Sequence, residues 1–338
     1  MIEPVRSDGV VFDFIATGAG PTADVLTNAA WDSAPSGSPL SVVVPFFNYD
    51  VNALATRLLQ LADKLRVLVP IVFVDDGSPS PMFNRRLWSL LLNAEQPCAM
   101  AVLHQNVGRS KVRNYLSRIA RTSYLLYLDA DMWPDSPDFL NRYLAWATAG
   151  DVDVLYGGRS ADKVILNGPA YELHRLMTVQ REALPAVVRR QSPAYHFYSC
   201  NFMVRRELLS AFPLDERFTG WGWEDCEWAS RVAEHHEIRH EDNSASHLGL
   251  LTASEILEKY DESIVNFSFL LQSRPELVIS TALFRVARGI GRLGLASMVT
   301  AVARKMAVSS RLPMTLRMRG LMLYKASLYS VLAKHVGD

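Results

Sequence analysis

Long hydrophobic runs are missing from this chain of 338 residues. No stretch reaches the roughly 18 consecutive apolar residues that a helix needs to cross a bilayer, so no transmembrane segment is expected. Cysteine is scarce: Cys98, Cys200 and Cys226 stand at unrelated spacings. They supply neither a disulfide framework nor a CxxC metal knuckle, which points to a reducing compartment. The N-terminal MIEPVRSDGVVFDF lacks a basic segment followed by an apolar one, so no secretory leader is expected and a cytoplasmic location is. Net charge is absent too, with 35 basic and 35 acidic side chains, which excludes a nucleic-acid partner held by bulk charge. A hydrophobic content of 49% excludes disordered and fibrous classes.

The zero conceals a division. Residues 277–338 hold ten Lys or Arg and one acid, Asp338, leaving 25 basic and 34 acidic residues before them. A body of −9 thus precedes a tail of +9, the pattern of an acidic domain carrying a basic surface-binding segment. The tail reads as two helices, near 281–308 and 314–335, divided by Leu312-Pro313. Arg285, Arg288 and Arg292 share one stripe, beside apolar Phe284, Ile290, Leu293 and Leu295. Such a helix suits an anionic membrane surface, placing the protein peripherally on the inner face. Packing against the body or a second subunit, as in a homo-oligomer, explains the apolar face equally well.

Residues 1–39 contain a strand-like run, Val10 to Ala16, then a Gly/Pro/Ser-rich passage through Ser33–Pro39 that reads as a linker. Domain boundaries therefore fall at 1–39, 40–270 and 271–338. From Ser41 onward, apolar runs (41–44, 67–74, 99–103, 124–128) alternate with helical patterns (51–65, 82–93, 111–120). Strands apolar on both faces and separated by helices predict an α/β fold with a mostly parallel, Rossmann-like sheet covered on both sides. Ligands then sit beyond the carboxyl ends of the strands.

Those ends are chemically loaded. The first is followed by Pro45-Phe46-Phe47-Asn48, the second by Asp75-Asp76-Gly77-Ser78 and the fourth by Asp129-Ala130-Asp131. Acids just past buried apolar strands are costly unless they meet a cation, a ligand or water. Asp129 and Asp131, two apart, point the same way in extended backbone and suit a hard divalent cation.

VVVPFFN, VDDGS, Asn106-Val107-Gly108 with Arg113-Asn114, LDAD and Trp221-Gly222-Trp223-Glu224-Asp225 occur in one order. That order resembles the family-2 glycosyltransferases of the GT-A fold over roughly residues 40–250. The resemblance implies an inverting hexosyltransferase that moves a sugar from a nucleotide donor, a UDP-sugar by preference, to a glycan or lipid-linked acceptor in polysaccharide biosynthesis. It implies nucleotide-sugar contacts from Pro45, Asn48, Asp75, Asp76, Arg113 and Asp129. It also implies a Mn²⁺ or Mg²⁺ ligand in Asp131, with His247 completing the metal site against competition from His235, His236 and His240. The segment around Trp221 is similar to the GWG-x-ED signature of galactosyl- and N-acetylgalactosaminyl-transferring relatives. By that match Asp225 is the base and Glu224 orients the acceptor. Trp221 and Trp223 either face sugar rings or are core aromatics. Cys226-Glu227 departs from the further Asp residues often found there.

Two alternatives stand beside this reading. A sugar nucleotidyltransferase needs a Gly-rich loop with a basic residue after the first strand, which PFFNYD lacks. A non-catalytic glycan-assembly scaffold would typically have lost Asp131 or Asp225. Two motifs are decoys. His236-Glu237-Ile238-Arg239-His240 matches HExxH, with Glu258 at a tolerable distance for a third ligand, but its helix runs out near His236. Gly18-Ala19-Gly20-Pro21-Thr22-Ala23 fits GxGxxG/A, but its internal Pro favours a loop.

Overall fold

The computed structural model describes residues 21–32, 38–120, 122–165 and 168–334. The strand expected over Val10–Ala16 lies outside them, as does most of the Ser33–Pro39 passage. The alternating pattern folds as β1 (Ala23–Thr27), α1 (Ala29–Asp32), β2 (Leu40–Phe46), α2 (Asn52–Ala62), β3 (Ile71–Asp75), α3 (Met82–Leu91), β4 (Cys98–Leu103), α4 (Arg109–Ile119) and β5 (Tyr124–Leu128). Strands β2, β3 and β5 are buried along their whole length, as expected of strands with helices on both faces. The second strand starts at Ile71 rather than Val67, because Pro70 breaks the run and Val67 is exposed.

A looser passage follows: β6 (Met132–Pro134), α5 (Phe139–Ala149), β7 (Val154–Tyr156), β8 (Arg159–Ser160), α6 (Glu172–Met177), α7 (Ala186–Arg189), β9 (Asn201–Arg205), α8 (Arg206–Ala211), α9 (Glu224–Ala233), β10 (Ile238–His240) and β11 (Ala245–His247). The main sheet has the order β1-β4-β3-β2-β5-β9-β7-β10. Its centre, β4-β3-β2-β5, is parallel, while β9 runs antiparallel to β5 and β7. A small sheet, β6-β11-β8, stands beside it. Residues 23–27, expected to belong to the loop and linker, form β1 and add an antiparallel edge to β4. Nothing in ADVLT marks this strand locally; pairing with β4 creates it.

The C-terminal helical region comprises α10 (Ala253–Ser273), α11 (Glu276–Ile279), α12 (Ala282–Arg292), α13 (Ala296–Val308) and α14 (Met314–Ala333). The single helix expected over 281–308 is two. Gly294, at φ +68°, ends the first of them, and the Leu295 amide reaches back to the Ile290 carbonyl at 3.1 Å. Helix α14 is buried on more than one face, as a helix enclosed by neighbours must be. One apolar cluster joins Leu257 and Tyr260 of α10 to Ala303, Met318, Leu321 and Tyr324. A second joins Phe218, Phe267 and Leu270 to Phe284, Ile290 and Tyr329. No gap in packing marks the boundary drawn at residue 270.

Candidate active site

Strand β2 pairs with β3 through its last residue, Phe46 opposite Asp75, whereas its pairing with β5 ends at Val43 opposite Tyr127. The strands part beyond that point, and Pro45, with no amide hydrogen to offer, stands where the β5 ladder has ended. A cavity of about 240 Å³ opens there, at the point where the strand order reverses direction. It is lined by Pro45, Phe46, Phe47 and Tyr49 beyond β2, and by Asp76 beyond β3. Arg109, Val112 and Arg113 of α4 and Asp129, Ala130 and Asp131 beyond β5 complete it.

Asp76 sits in the wall of the cavity. Its carboxylate accepts from the Val107 amide at 2.7 Å and the Gly108 amide at 3.0 Å. Burial still lifts this carboxyl above its ordinary range. Asp75 behaves differently. It is fully buried outside the cavity lining, and both oxygens already accept hydrogen bonds. One takes the Ser78 amide and hydroxyl, the other the Asn84 amide group at 2.6 Å. Asn48, in the left-handed region at φ +47°, donates its amide to the Ser78 hydroxyl at 2.7 Å. Asp75, Ser78 and the Asn48 amide therefore tie the ends of β3 and β2 together, and neither Asp75 nor Asn48 is among the residues lining the cavity. Arg113, almost wholly buried, donates to Asp129 at 2.5 Å, fixing the first carboxylate of the Asp-Ala-Asp triplet.

The second carboxylate is placed by register. In the small sheet His247 pairs with Met132, the residue after Asp131, and the Leu248 amide donates to the Asp131 carbonyl at 2.8 Å. His247 Nε2 thereby comes to lie 3.0 Å from Asp131 Oδ2. A Cβ at residue 249 would run into that carboxylate, so the Leu248-Gly249 turn needs glycine. Burial would raise the Asp131 carboxyl, but His247, with Arg159 and Arg109 beyond it, outweighs burial and holds it well below the carboxylate range. Nδ1 of His247 is buried and has no hydrogen-bond partner. Among the described residues no three His, Cys, Asp or Glu side chains form a metal-binding group. The chain thus offers a carboxylate and an imidazole, a donor pair that fits Mn²⁺ or Mg²⁺ when diphosphate oxygens and water supply the other ligands.

Arg109, which the sequence reading passed over, joins these groups to Glu224. It opens α4 directly after Gly108 and lies 3.5 Å from Asp129 and 3.2 Å from Glu224. Burial opposes its charge, but Glu224, Asp129, Asp225 and Asp131 together outweigh burial and keep it charged. Glu224 is nearly inaccessible, and burial, then neighbouring Asp225, raise its carboxyl well above the usual range against Arg109 and Arg113. One buried oxygen of Glu224 and one of Asp225 have no hydrogen-bond partner. Neither carboxylate lines the cavity itself; Glu224 is joined to its edge through Arg109, whose charge Asp225 also stabilises.

What aims Glu224 and Asp225 is the loop before α9. Trp223 caps that helix in the left-handed region at φ +76°, a conformation that costs an ordinary residue roughly 1–2 kcal/mol. Its neighbours fix it there. Trp223 Nε1 donates to the Tyr329 hydroxyl at 2.9 Å, and the Gly222 carbonyl accepts from Asn266 at 2.9 Å. Tyr329 contacts the Ser263 hydroxyl at 2.5 Å and stacks on Phe267. The Lys325 ammonium lies 4.9 Å from the Trp223 ring and 4.9 Å from the Tyr260 ring. Trp221 is half-buried, its ring 6.0 Å from that of Tyr260. The tail therefore holds the loop that carries the acidic pair.

The HExxH decoy comes apart in the fold. His236 lies beyond α9 and meets Asp153 at 2.8 Å, whereas His240 sits in β10 against Arg189 at 3.1 Å. His174 is a further residue the sequence reading did not find: its ring meets that of His247 edge to face at 5.6 Å. Burial, then the His247 charge, lower its pKa to about 4.

A mixed sheet with a parallel centre, a cavity at its switch point and an Asp-X-Asp turn at the cavity wall define a GT-A glycosyltransferase. The model of the glycosyl transferase family 2 matches residues 41–212, and the chain belongs to that family. Among curated proteins no sequence matches it. Solved structures are similar in fold. A mannosyltransferase, PcManGT from Pyrobaculum calidifontis, in complex with GDP-Man and Mn²⁺, shares 17% identity at a TM-score of 0.58, over 89% of this chain and 87% of its own. S. aureus TarS 1–349 in complex with UDP-GlcNAc shares 15% identity at a TM-score of 0.44, over 87% and 91%. Glucosyl-3-phosphoglycerate synthase from Mycobacterium tuberculosis, with Mn²⁺, UDP-glucose and phosphoglyceric acid, shares 15% at 0.47, over 70% and 82%.

Proposed function

We propose that this glycosyltransferase works with inversion, moving a sugar from a nucleoside diphosphate donor to a carbohydrate or lipid-linked acceptor. The observation that carries this reading is the convergence on Arg109. One guanidinium joins Asp129, at the donor cavity, to Glu224, whose neighbour Asp225 has an unsatisfied buried oxygen. In the proposed step the acceptor oxygen attacks the anomeric carbon while the bond from that carbon to the diphosphate oxygen breaks. The electron pair leaves with the diphosphate, and the acceptor proton passes to Asp225, a transfer worth about 10²–10⁴-fold in rate. Glu224, held by Arg109, orients the acceptor. Asp131 and His247 would hold Mn²⁺ or Mg²⁺, which when bound neutralises charge on the leaving diphosphate.

On the donor side Asp76, Pro45, Arg113 and Asp129 border the nucleotide. Asp75 and Asn48 act at one remove, by fixing the strand ends. Trp223, engaged on Tyr329, positions the acidic pair, while Trp221 remains the aromatic candidate for a sugar face. The GWG-x-ED resemblance favours a UDP-sugar, whereas PcManGT was solved with GDP-Man. A screen of hydrolysis and transfer across UDP- and GDP-sugars, with and without Mn²⁺, tests the reading directly. Metal-dependent turnover of one donor, lost in Asp131→Ala and Asp225→Asn, is expected. Metal-dependent nucleotide binding with no turnover of any donor would make the chain a scaffold instead.

A further inference from the structure

The tail that braces the catalytic loop on one side turns an unusual surface outward on the other. Between residues 277 and 337 the chain has no Asp or Glu. Large exposed hydrophobics crowd the same stretch: Val286, Leu293, Leu295, Met298 and Val302 all belong to α12, α13 or the turn between them. Leu293, at that turn, is 73% exposed. Helix α12 buries Phe284, Ala287 and Ile290 against the rest of the protein. Val286 and Leu293, seven apart, make an outer apolar stripe, and Arg285, Arg288 and Arg292 make a basic stripe beside it. Helix α13 repeats the arrangement, with Leu295, Met298 and Val302 outward and the exposed Arg304 and Lys305 at its far end.

We infer that the α12–α13 elbow is a docking surface for an anionic lipid bilayer, with Leu293, Leu295 and Met298 entering the headgroup region and the flanking cations meeting lipid charge. Aliphatic side chains at an exposed turn gain by entering the interface, and each nearby Lys or Arg adds attraction to anionic headgroups. Charge complementarity selects this occupant over a second copy paired symmetrically through the same face, which would set one Arg stripe against another. Orientation follows from the fold: α14, packed on both α12 and α13, carries Tyr329, which holds the catalytic loop. A bilayer on the elbow therefore fixes where the active site stands above it.

The test is co-sedimentation of the full chain with phosphatidylcholine vesicles, either pure or with about one-third phosphatidylglycerol, at low and high salt. Binding to the anionic vesicles alone is expected, weakening as salt rises. Leu293→Asp with Met298→Asp should cut partitioning at least tenfold. Arg285→Gln with Lys305→Gln should cut it about fivefold per charge removed. Cooperative thermal unfolding of each variant serves as the folding control. Binding to neither vesicle, equal binding to both, or undiminished binding by the variants would each overturn the inference. So would a dimer, seen by sedimentation velocity, that Leu293→Asp dissolves in the absence of lipid binding. No sugar chemistry enters the readout, so this inference and the proposed transfer reaction fail separately.

Discussion

The acidic body and the basic tail carry opposite net charges of equal size, and they spend them differently. In the body, acids near the cavity are engaged one by one: Asp76 by loop amides, Asp129 by Arg113, Asp131 by His247, Glu224 by Arg109. In the tail, Arg285, Lys305 and Arg319 present their charge at the solvent-exposed surface. Charge counting thus separates the two, but packing does not, because both C-terminal apolar clusters mix α10 with tail helices. A segment without an identified reacting group can still support the proposed chemistry when it holds the loop before the proposed base.

The hardest blow to this comparison is truncation. Ending the chain before residue 277 would bare Leu257, Tyr260, Phe267 and Leu270, side chains whose loss of burial costs about 1.5–3 kcal/mol each. Against a typical total of about 5–15 kcal/mol, the truncated chain is expected to aggregate or lose cooperative unfolding. All seven tryptophans precede residue 277, so in the intact chain fluorescence reports the body while far-UV circular dichroism also reports the tail. Coincident unfolding transitions are expected. A monomeric, cooperatively folding truncation would show that the tail is a separable appendage after all.

Next in size are the carboxylates of the body. Asp131→Ala should lower transfer by about 10³-fold or more, since the proposed metal ligand and its charge are lost together. Asp225→Asn should cost about 10²–10⁴-fold with donor binding retained. Full transfer by Asp225→Asn would remove it as the base and make Glu224 the next carboxylate to replace.

Tyr329→Phe carries the same question into the tail with a smaller expected effect. It keeps the ring that stacks on Phe267 but removes the oxygen that accepts from Trp223 Nε1. A buried donor left unpaired costs about 1–3 kcal/mol, enough to release Trp223 from its left-handed conformation. The expected result is a fall in kcat of about tenfold with the donor KM unchanged, because the cavity lies on the far side of Arg109. Equal losses in kcat and in thermal stability with a raised donor KM would mean general loosening rather than positioning.

Much of this was visible in the residues before any fold was known. VVVPF, IVFVD and YLLYL carry their own burial signal, and the acids after them mark the strand ends because nothing apolar explains an Asp there. Register adds what the residues alone do not hold: the pairing of β11 with β6 brings His247, preferred over His235, His236 and His240 from the sequence, against Asp131. Arg109 was hidden for a physical reason, since an arginine opening a polar helix looks solvated unless the carboxylates of distant segments are known to face it. The contact of Trp223 with Tyr329 spans 106 residues, and no periodicity encodes such a meeting. The break at Gly294 was overlooked because one glycine in a helical pattern is tolerated as often as it terminates.

Acid also separates body from tail. His240 is fully buried in β10. Nδ1 accepts from Arg189 at 3.1 Å and Nε2 donates to the Pro193 carbonyl at 3.0 Å, an arrangement that requires the neutral ring. Burial, then the Arg189 charge, lower its pKa to about 4. In the unfolded chain the same ring titrates near 6.5. As pH falls below about 6.5 the unfolded state takes up a proton that the folded state refuses until about pH 4. The stability this ring contributes is therefore complete above the unfolded pKa and drains away across that window, by an amount on the order of 3 kcal/mol. His240 lies in β10, well before residue 277, so this acid sensitivity belongs to the body. Urea unfolding followed by tryptophan fluorescence near pH 7 and near pH 5 should show the loss. His240→Gln, which can accept from Arg189 and donate to Pro193 without titrating, should flatten the profile. An unchanged pH slope in that variant would place the acid-sensitive group elsewhere, with His174 beside His247 the next to replace.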